Sequence, residues 1–236
     1  MSKIISTLKG KWEDTELRSP NRALYITAHN NFSKKVKVYD LTPHLTAKYP
    51  SEDFKTQAKE LLKSDTLSTC LTITNRRLLS RFYDITVPAS QHSDVQNPSS
   101  GEADDSANAG KSNEVMVAEW KAPLFSAGST TISFPPDSPH SQHPLKLKPC
   151  GFFGEVESFV LNSVEHRWKN DHDGKWTHTK LKLTKVVAGQ QSVVAKYWEP
   201  MNWNKGGIVI FNDEEIDWVV VVLTCCVTSM KEDAHV

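Results

Sequence analysis

The chain has 236 residues, enough for one large domain or two small ones and for a substantial core. Its 28 Lys and Arg balance its 28 Asp and Glu, which excludes a global charge that would draw it to nucleic acid or anionic lipid, so an electrostatic partner must meet a local patch. Hydrophobic residues make up 38%, less than compact domains usually carry, which implies a polar segment that dilutes the average.

Residues 1–20 read as an N-terminal extension. MSKIISTLKGKWEDTELRS lacks an apolar core of signal-peptide length, so a cytoplasmic setting with reduced thiols is the expectation. From Asn21 onward the pattern is mostly period two. RALYITA (Arg22 to Ala28) and KKVKVY (Lys34 to Tyr39) alternate apolar and polar positions, as antiparallel strands with one buried face do. SEDFKTQAKELLK (Ser51 to Lys63) instead places Phe54, Ala58, Leu61 and Leu62 on one helical face behind Ser51, a good N-cap.

Pro88 to Asn113 contains no aromatic residue and, apart from Val95, no branched aliphatic one. It cannot bury enough apolar area to offset its chain entropy, and reads as a disordered loop within a single domain of residues 21–230. Alternation resumes in EVMVAEW (Glu114 to Trp120), TTISF (Thr130 to Phe134), LKLK (Leu145 to Lys148), EVESFVL (Glu155 to Leu161), KWTHTKLKLTKV (Lys175 to Val186) and QSVVAKYW (Gln191 to Trp198). PPDSPHSQHP (Pro135 to Pro144) is a turn-rich connection. The Asp-Gly in NDHDGKW (Asn170 to Trp176) signals a hairpin, and AGQQ (Ala188 to Gln191) and NKGG (Asn204 to Gly207) signal further turns. Many short strands with few helices predict a mainly β barrel or sandwich.

IDWVVVVLTCCVTSM (Ile216 to Met230) has three readings. A membrane anchor needs roughly 20 apolar residues, and this run is shorter and contains Asp217, Thr224, Thr228 and Ser229. Val219 to Val222 favour a strand locally. Asn212 with Glu215 offers a capping box, Asp213 and Glu214 suit a first turn, and Lys231 suits a helix end. A helix apolar all round belongs inside a core, so a helix wrapped by the barrel is the favoured reading, from about Asp213 to Met230, with 231–236 as a tail. Cys225 and Cys226 are then core thiols; Cys70 and Cys150 complete a set without CxxC spacing.

Several segments together resemble an uncharacterised domain family common in mushroom-forming fungi. That family is assigned to the tubby C-terminal-like superfamily, related in fold to LURP-one and phospholipid scramblase proteins. The segments are MVAEWK (Met116 to Lys121) followed by STTISF (Ser129 to Phe134), VEHRWKNDHDGKW (Val164 to Trp176), SVVAKYWEP (Ser192 to Pro200) and GIVIFNDEEIDWVVVVLTCCVTSM (Gly207 to Met230). The resemblance covers roughly Asn21 to Met230 and implies a tubby-like antiparallel β-barrel enclosing a hydrophobic C-terminal helix. The long loop at Pro88 to Asn113 departs from the family pattern. No cluster matches the phosphoinositide-binding residues of true tubby proteins, so no lipid contact carries over residue by residue.

No nucleophile elbow, P-loop, Gly-x-Gly-x-x-Gly or HExxH occurs, and the expectation is a non-enzymatic protein without a cofactor. His166, His172 and His178 lie among Asp171 and Asp173, but their spacing fits no zinc motif, and a polar hairpin is the better account. Basic residues remain as candidate contacts for a lipid phosphate. They are Lys34, Lys35 and Lys37 on one strand, Lys146 and Lys148 on a second, and Lys180 and Lys182 on a third, with Arg76, Arg77 and Arg81 as a further group. Should two such strands adjoin, their ammonium groups can grip one anionic phospholipid or phosphoinositide head group. The competing account is a solvated strand face with gatekeeping lysines. A protein-interaction scaffold using the 88–113 loop, and a tail-anchored protein, are the alternative functions; no nucleic-acid partner is expected.

Overall fold

A computed structural model describes residues 17, 19–28, 33–47, 49, 51–64, 66–76, 82–92, 114–121, 128–150, 156–171, 179–198 and 206–232. Twelve described strands form one closed antiparallel barrel: β1 (Arg22–Ile26), β2 (Lys35–Asp40), β3 (Thr69–Asn75), β4 (Phe82–Pro88), β5 (Glu114–Lys121), β6 (Thr130–Ser133), β7 (Leu145–Cys150), β8 (Val156–Leu161), β9 (Val164–Asn170), β10 (Thr179–Val187), β11 (Gln190–Trp198) and β12 (Gly207–Phe211). Each strand pairs with the next in sequence, and β1 closes the ring on β12 from Arg22 opposite Phe211 to Ile26 opposite Gly207. Closure leaves no sheet edge open to aggregation.

Two hairpins are tightened by two-residue turns with both residues at positive φ. Asn162 (50°) and Ser163 (64°) join β8 to β9, and Ala188 (49°) and Gly189 (79°) join β10 to β11. That backbone matches the right-handed strand twist and fixes the register of both pairs. Gly206, at φ 83°, lies so near the backbone of Ile26, Thr27 and Ala28 that a Cβ there would collide with it, which makes glycine necessary at the closing seam.

The inward residues of the strands do not pack on one another across a lumen; they pack on helix α3 (Trp218–Glu232). Val219, Val220, Val221, Val222, Leu223, Cys225 and Cys226 are completely buried, in one cluster with Leu24, Ile73, Ile85, Leu147, Phe159, Leu183 and Phe211. Inside the barrel Trp168 Nε1 donates to Thr224 Oγ1 at 2.9 Å, and Thr224 Oγ1 donates to Val220 O at 2.7 Å. Of the three readings of this segment, the wrapped helix is therefore the observed one. It spans 15 residues, about 22 Å at 1.5 Å per residue. Among the described residues no helix is long and apolar enough to cross a membrane.

The helix start differs from the capping expectation. Asn212 to Glu215 form a turn, with Glu214 N–H donating to Asn212 Oδ1 and Glu215 N–H to Asn212 O. Asp217 is the actual cap: its Oδ1 accepts from Val219 N at 2.9 Å and Val220 N at 3.1 Å. Asn is as apt to bond its own backbone two residues on as to cap a helix, and here the turn wins because it lets Ile216 enter the core before the helix begins. At the far end α3 passes the expected boundary at Met230 and includes Lys231, which is buried.

A second, smaller core lies outside the barrel. Helix α1 (Glu52–Leu61), capped by Ser51 Oγ accepting from Phe54 N at 3.1 Å, sets Phe54 and Ala58 against Ala23, Ile208, Ile210 and Trp198. The outer face of β11, β12 and β1 is thereby covered, and Leu17 packs there too, so the domain reaches back into the expected extension. The expected loop begins later than Pro88, since β4 ends at that residue and a short helix α2 (Ala89–His92) follows; residues 93–113 lie outside the described ones.

Candidate functional site

With α3 filling the barrel, a ligand cannot use a lumen of the kind that open barrels offer. The outer face and the two rims remain. The strand order separates the expected lysine groups. Lys34, Lys35 and Lys37 are exposed at or on β2, and Lys146 and Lys148 are exposed on β7. Lys180 and Lys182 belong to β10; the side chain of Lys180 is outside the described residues. Two strands (β9, β8) separate β10 from β7, and four (β6 to β3) separate β7 from β2. At about 4.8 Å per strand step, β7 is roughly 14 Å from β10 along the sheet, too far for one phosphate to bridge. Arg76 is committed elsewhere. Its Nε donates to Asp84 Oδ1 at 2.7 Å and its Nη2 to Glu119 Oε2 at 2.8 Å, two carboxylates that hold its protonation above the ordinary guanidinium value. Arg77 and Arg81 are outside the described residues.

What the register brings together is a different set. On the outer face Lys182 of β10 stands directly opposite Lys169 of β9 and directly opposite Lys196 of β11. Like charges facing each other across strands repel, so such a row needs an anion nearby. Asp171, at the end of β9, supplies one: its Oδ1 lies 3.3 Å from Lys182 Nζ and its Oδ2 lies 3.4 Å from Lys196 Nζ. Lys169 Nζ donates to Gln191 Oε1 at 3.2 Å. The Asp171 and Lys182 side chains are only 6% and 7% exposed, whereas Lys196 is 29% exposed. Lys182 is thus not the solvated outward lysine that period two implies; it is a desolvated cation with a specific partner. The row borders the α1 side of the barrel, since Lys196 is opposite Ile210, which α1 covers.

Lys182 came from the candidate group and Asp171 from the histidine hairpin, but Lys169 and Lys196 carry no local signal. Only the pairing of three strands selects them. His166 leaves the metal reading altogether. It points into the core, stacks on Phe159 with centroids 5.2 Å apart, and shares a hydrogen bond between Nδ1 and Val164 O. Burial pushes its pKa down, with the Lys185 charge adding to the effect and the Val164 bond opposing it. His172, Asp173 and His178 are outside the described residues.

Polar contacts tie each end of α3 to a rim of the barrel. At its start, His140 Nδ1 meets Asp217 Oδ2 at 3.0 Å and Arg22 lies over the Trp218 ring at 4.9 Å. At its end, Lys231 Nζ donates to both Glu157 oxygens at 2.9 Å and to Gly128 O at 2.8 Å.

No family model, curated protein or solved structure matches the chain. The case for a function therefore rests on the row itself. Among the described residues, Lys169, Lys182 and Lys196 with Gln191 and the shared Asp171 carboxylate make a cationic cluster. Lysine ammonium groups in such a cluster are donors suited to charge-assisted hydrogen bonds with an anion.

Proposed function

We propose that this chain is a non-enzymatic binding module that docks on phosphate-bearing anionic head groups, acting peripherally at a membrane from the cytoplasm. The observation that carries the reading is the row of Lys169, Lys182 and Lys196 across three adjacent strands. Directly opposite residues on neighbouring strands have Cβ atoms about 4.5–5.5 Å apart, near enough for Lys182 and Lys196 to share one phosphate by charge-assisted hydrogen bonds. The barrel wrapped around an apolar helix supports placing the chain among tubby C-terminal-like domains.

Vesicle co-sedimentation tests it. Binding to anionic phosphoinositide vesicles is expected to exceed binding to neutral phosphatidylcholine vesicles, to weaken as salt rises, and to fall in Lys196→Gln. Equal binding to neutral and anionic vesicles, or an unaffected Lys196→Gln, overturns the proposal. A salt-insensitive partner protein lost on deleting residues 93–113 would instead favour the scaffold reading.

A further inference from the structure

We infer that Asp171 is a built-in counter-anion that a phosphate monoester displaces, so that the site is held closed by its own carboxylate until a stronger anion arrives. This rests on the phosphate-docking reading above. Asp171 does not pair with one lysine, as an ordinary strand-face ion pair does; one oxygen faces Lys182 and the other faces Lys196, at 3.3 and 3.4 Å. Its two oxygens therefore occupy the position that two phosphate oxygens would take between the same ammoniums. A phosphate monoester brings three oxygens and about −1.5 to −2 charges where the carboxylate brings two oxygens and one charge. The exchange gives Lys182 and Lys196 a partner of higher charge in the position that Asp171 holds.

Burial gives the exchange its direction. The side chains of Asp171 and Lys182 are both more than nine-tenths buried, so loss of the Asp171 carboxylate is poorly offset by water. An incoming anion must take over the ion pair in place. Asp171 stands at the β9 terminus, beyond its last ladder pair of Asn170 with Leu181, so its side chain can rotate away without breaking a strand pair.

The test compares wild type, Asp171→Asn and Lys196→Gln in titrations with inorganic phosphate and with phosphatidylcholine vesicles containing a phosphoinositide. Asp171→Asn removes the competitor and its repulsion while preserving shape. It is expected to tighten binding about tenfold, within the usual range for coupled binding events; Lys196→Gln is expected to weaken it. Tightening toward inorganic phosphate alone assigns a soluble ligand, and tightening toward both assigns a lipid head group. If Asp171→Asn binds equally or more weakly while wild type binds and Lys196→Gln does not, the displacement inference fails and the docking reading stands. If wild type and Asp171→Asn bind neither probe, both fail. Should Asp171→Asn not fold, the wild-type protein still decides: the Asp171 side-chain carboxyl 13C resonance must shift on saturation with phosphate, and a static resonance overturns displacement.

Discussion

Replacing Lys231 by Met is expected to be among the most damaging single changes in the chain. Lys231 Nζ touches both Glu157 oxygens at 2.9 Å and Gly128 O at 2.8 Å, and the Lys231 and Glu157 side chains are 10% and 5% exposed. At 2.9 Å and an effective dielectric of about 20, Coulomb attraction is roughly 6 kcal/mol, much of it offset by the cost of drying both charges. The single substitution removes the attraction and leaves the Glu157 carboxylate dry, so the loss should be roughly 3–5 kcal/mol. For a chain of this size that lowers Tm by roughly 6–20 °C. Lys231→Met with Glu157→Leu removes both charges and fills their space with apolar groups, and should return to within about 1 kcal/mol of wild type. Urea unfolding of wild type, the two single variants and the double variant closes the cycle. Singles that cost less than about 1 kcal/mol, or a double variant that costs their sum, would refute the reasoning.

Two further outcomes follow from the barrel interior. Thr224→Val keeps the size of the side chain but strands the Trp168 indole N–H inside the core, costing about 1–3 kcal/mol in urea unfolding; Trp168→Phe in the same chain should recover part of that loss. His166 has a folded pKa below its unfolded value because of burial. The unfolded chain therefore takes up the proton first as the medium acidifies. Its contribution to stability is fully present above about pH 6.5 and is lost as pH falls through the folded pKa. His166→Phe should flatten the wild-type stability slope just below about pH 6.5, as measured by denaturant titration at several pH values.

The strands were legible wherever one face is buried and the other wet. β1, β2, β5, β6, β7, β8, β10 and β11 overlap the alternating runs, extending a residue or two past them in β2, β5, β7, β10 and β11, and α1 begins behind Ser51 as its spacing predicts. β3 and β4 escaped that reading. Cys70, Leu71 and Thr72 are buried in succession in β3, which blurs the alternation, and β4 runs directly into the polar loop at Pro88. The Asn162–Ser163 turn lacks the glycine that made Ala188–Gly189 recognisable, though both adopt positive φ. The central helix was readable from its length and its apolar circumference. Its start was not, because Asn212 and Asp217 both carry capping chemistry and only the burial of Ile216 between them selects the later one. The site was legible in one lysine of three. Lys182 lies in an alternating basic run, but Lys169 and Lys196 acquire meaning only from the register that sets them opposite it.

The buried ion pairs of Lys231 and of Asp171, both among the described residues, invite the same explanation, yet their surroundings separate them. Lys231 with Glu157 ends the central helix, and its third bond to Gly128 O ties the helix to the segment before β6. Along the apolar stretch Val219 to Val222 the helix presents nearly equivalent surfaces, so its depth in the barrel depends on directional contacts such as this one and the Trp168–Thr224 hydrogen bond. A directional polar contact at one end supplies that register at some cost in stability, the use for which buried charges are best attested. Asp171 with Lys182 and Lys196 has no such task. β10 is already fixed by its backbone ladders to β9 and β11 and by the two-residue turn that precedes Gln190. Apolar residues of similar size at these outer positions would extend the α1 core across Trp198 and Ile210 with no net penalty. Folding therefore explains the first pair and leaves the second unexplained. The proposed displacement would account for it, since a carboxylate shared between two ammoniums holds the position that a larger anion would take.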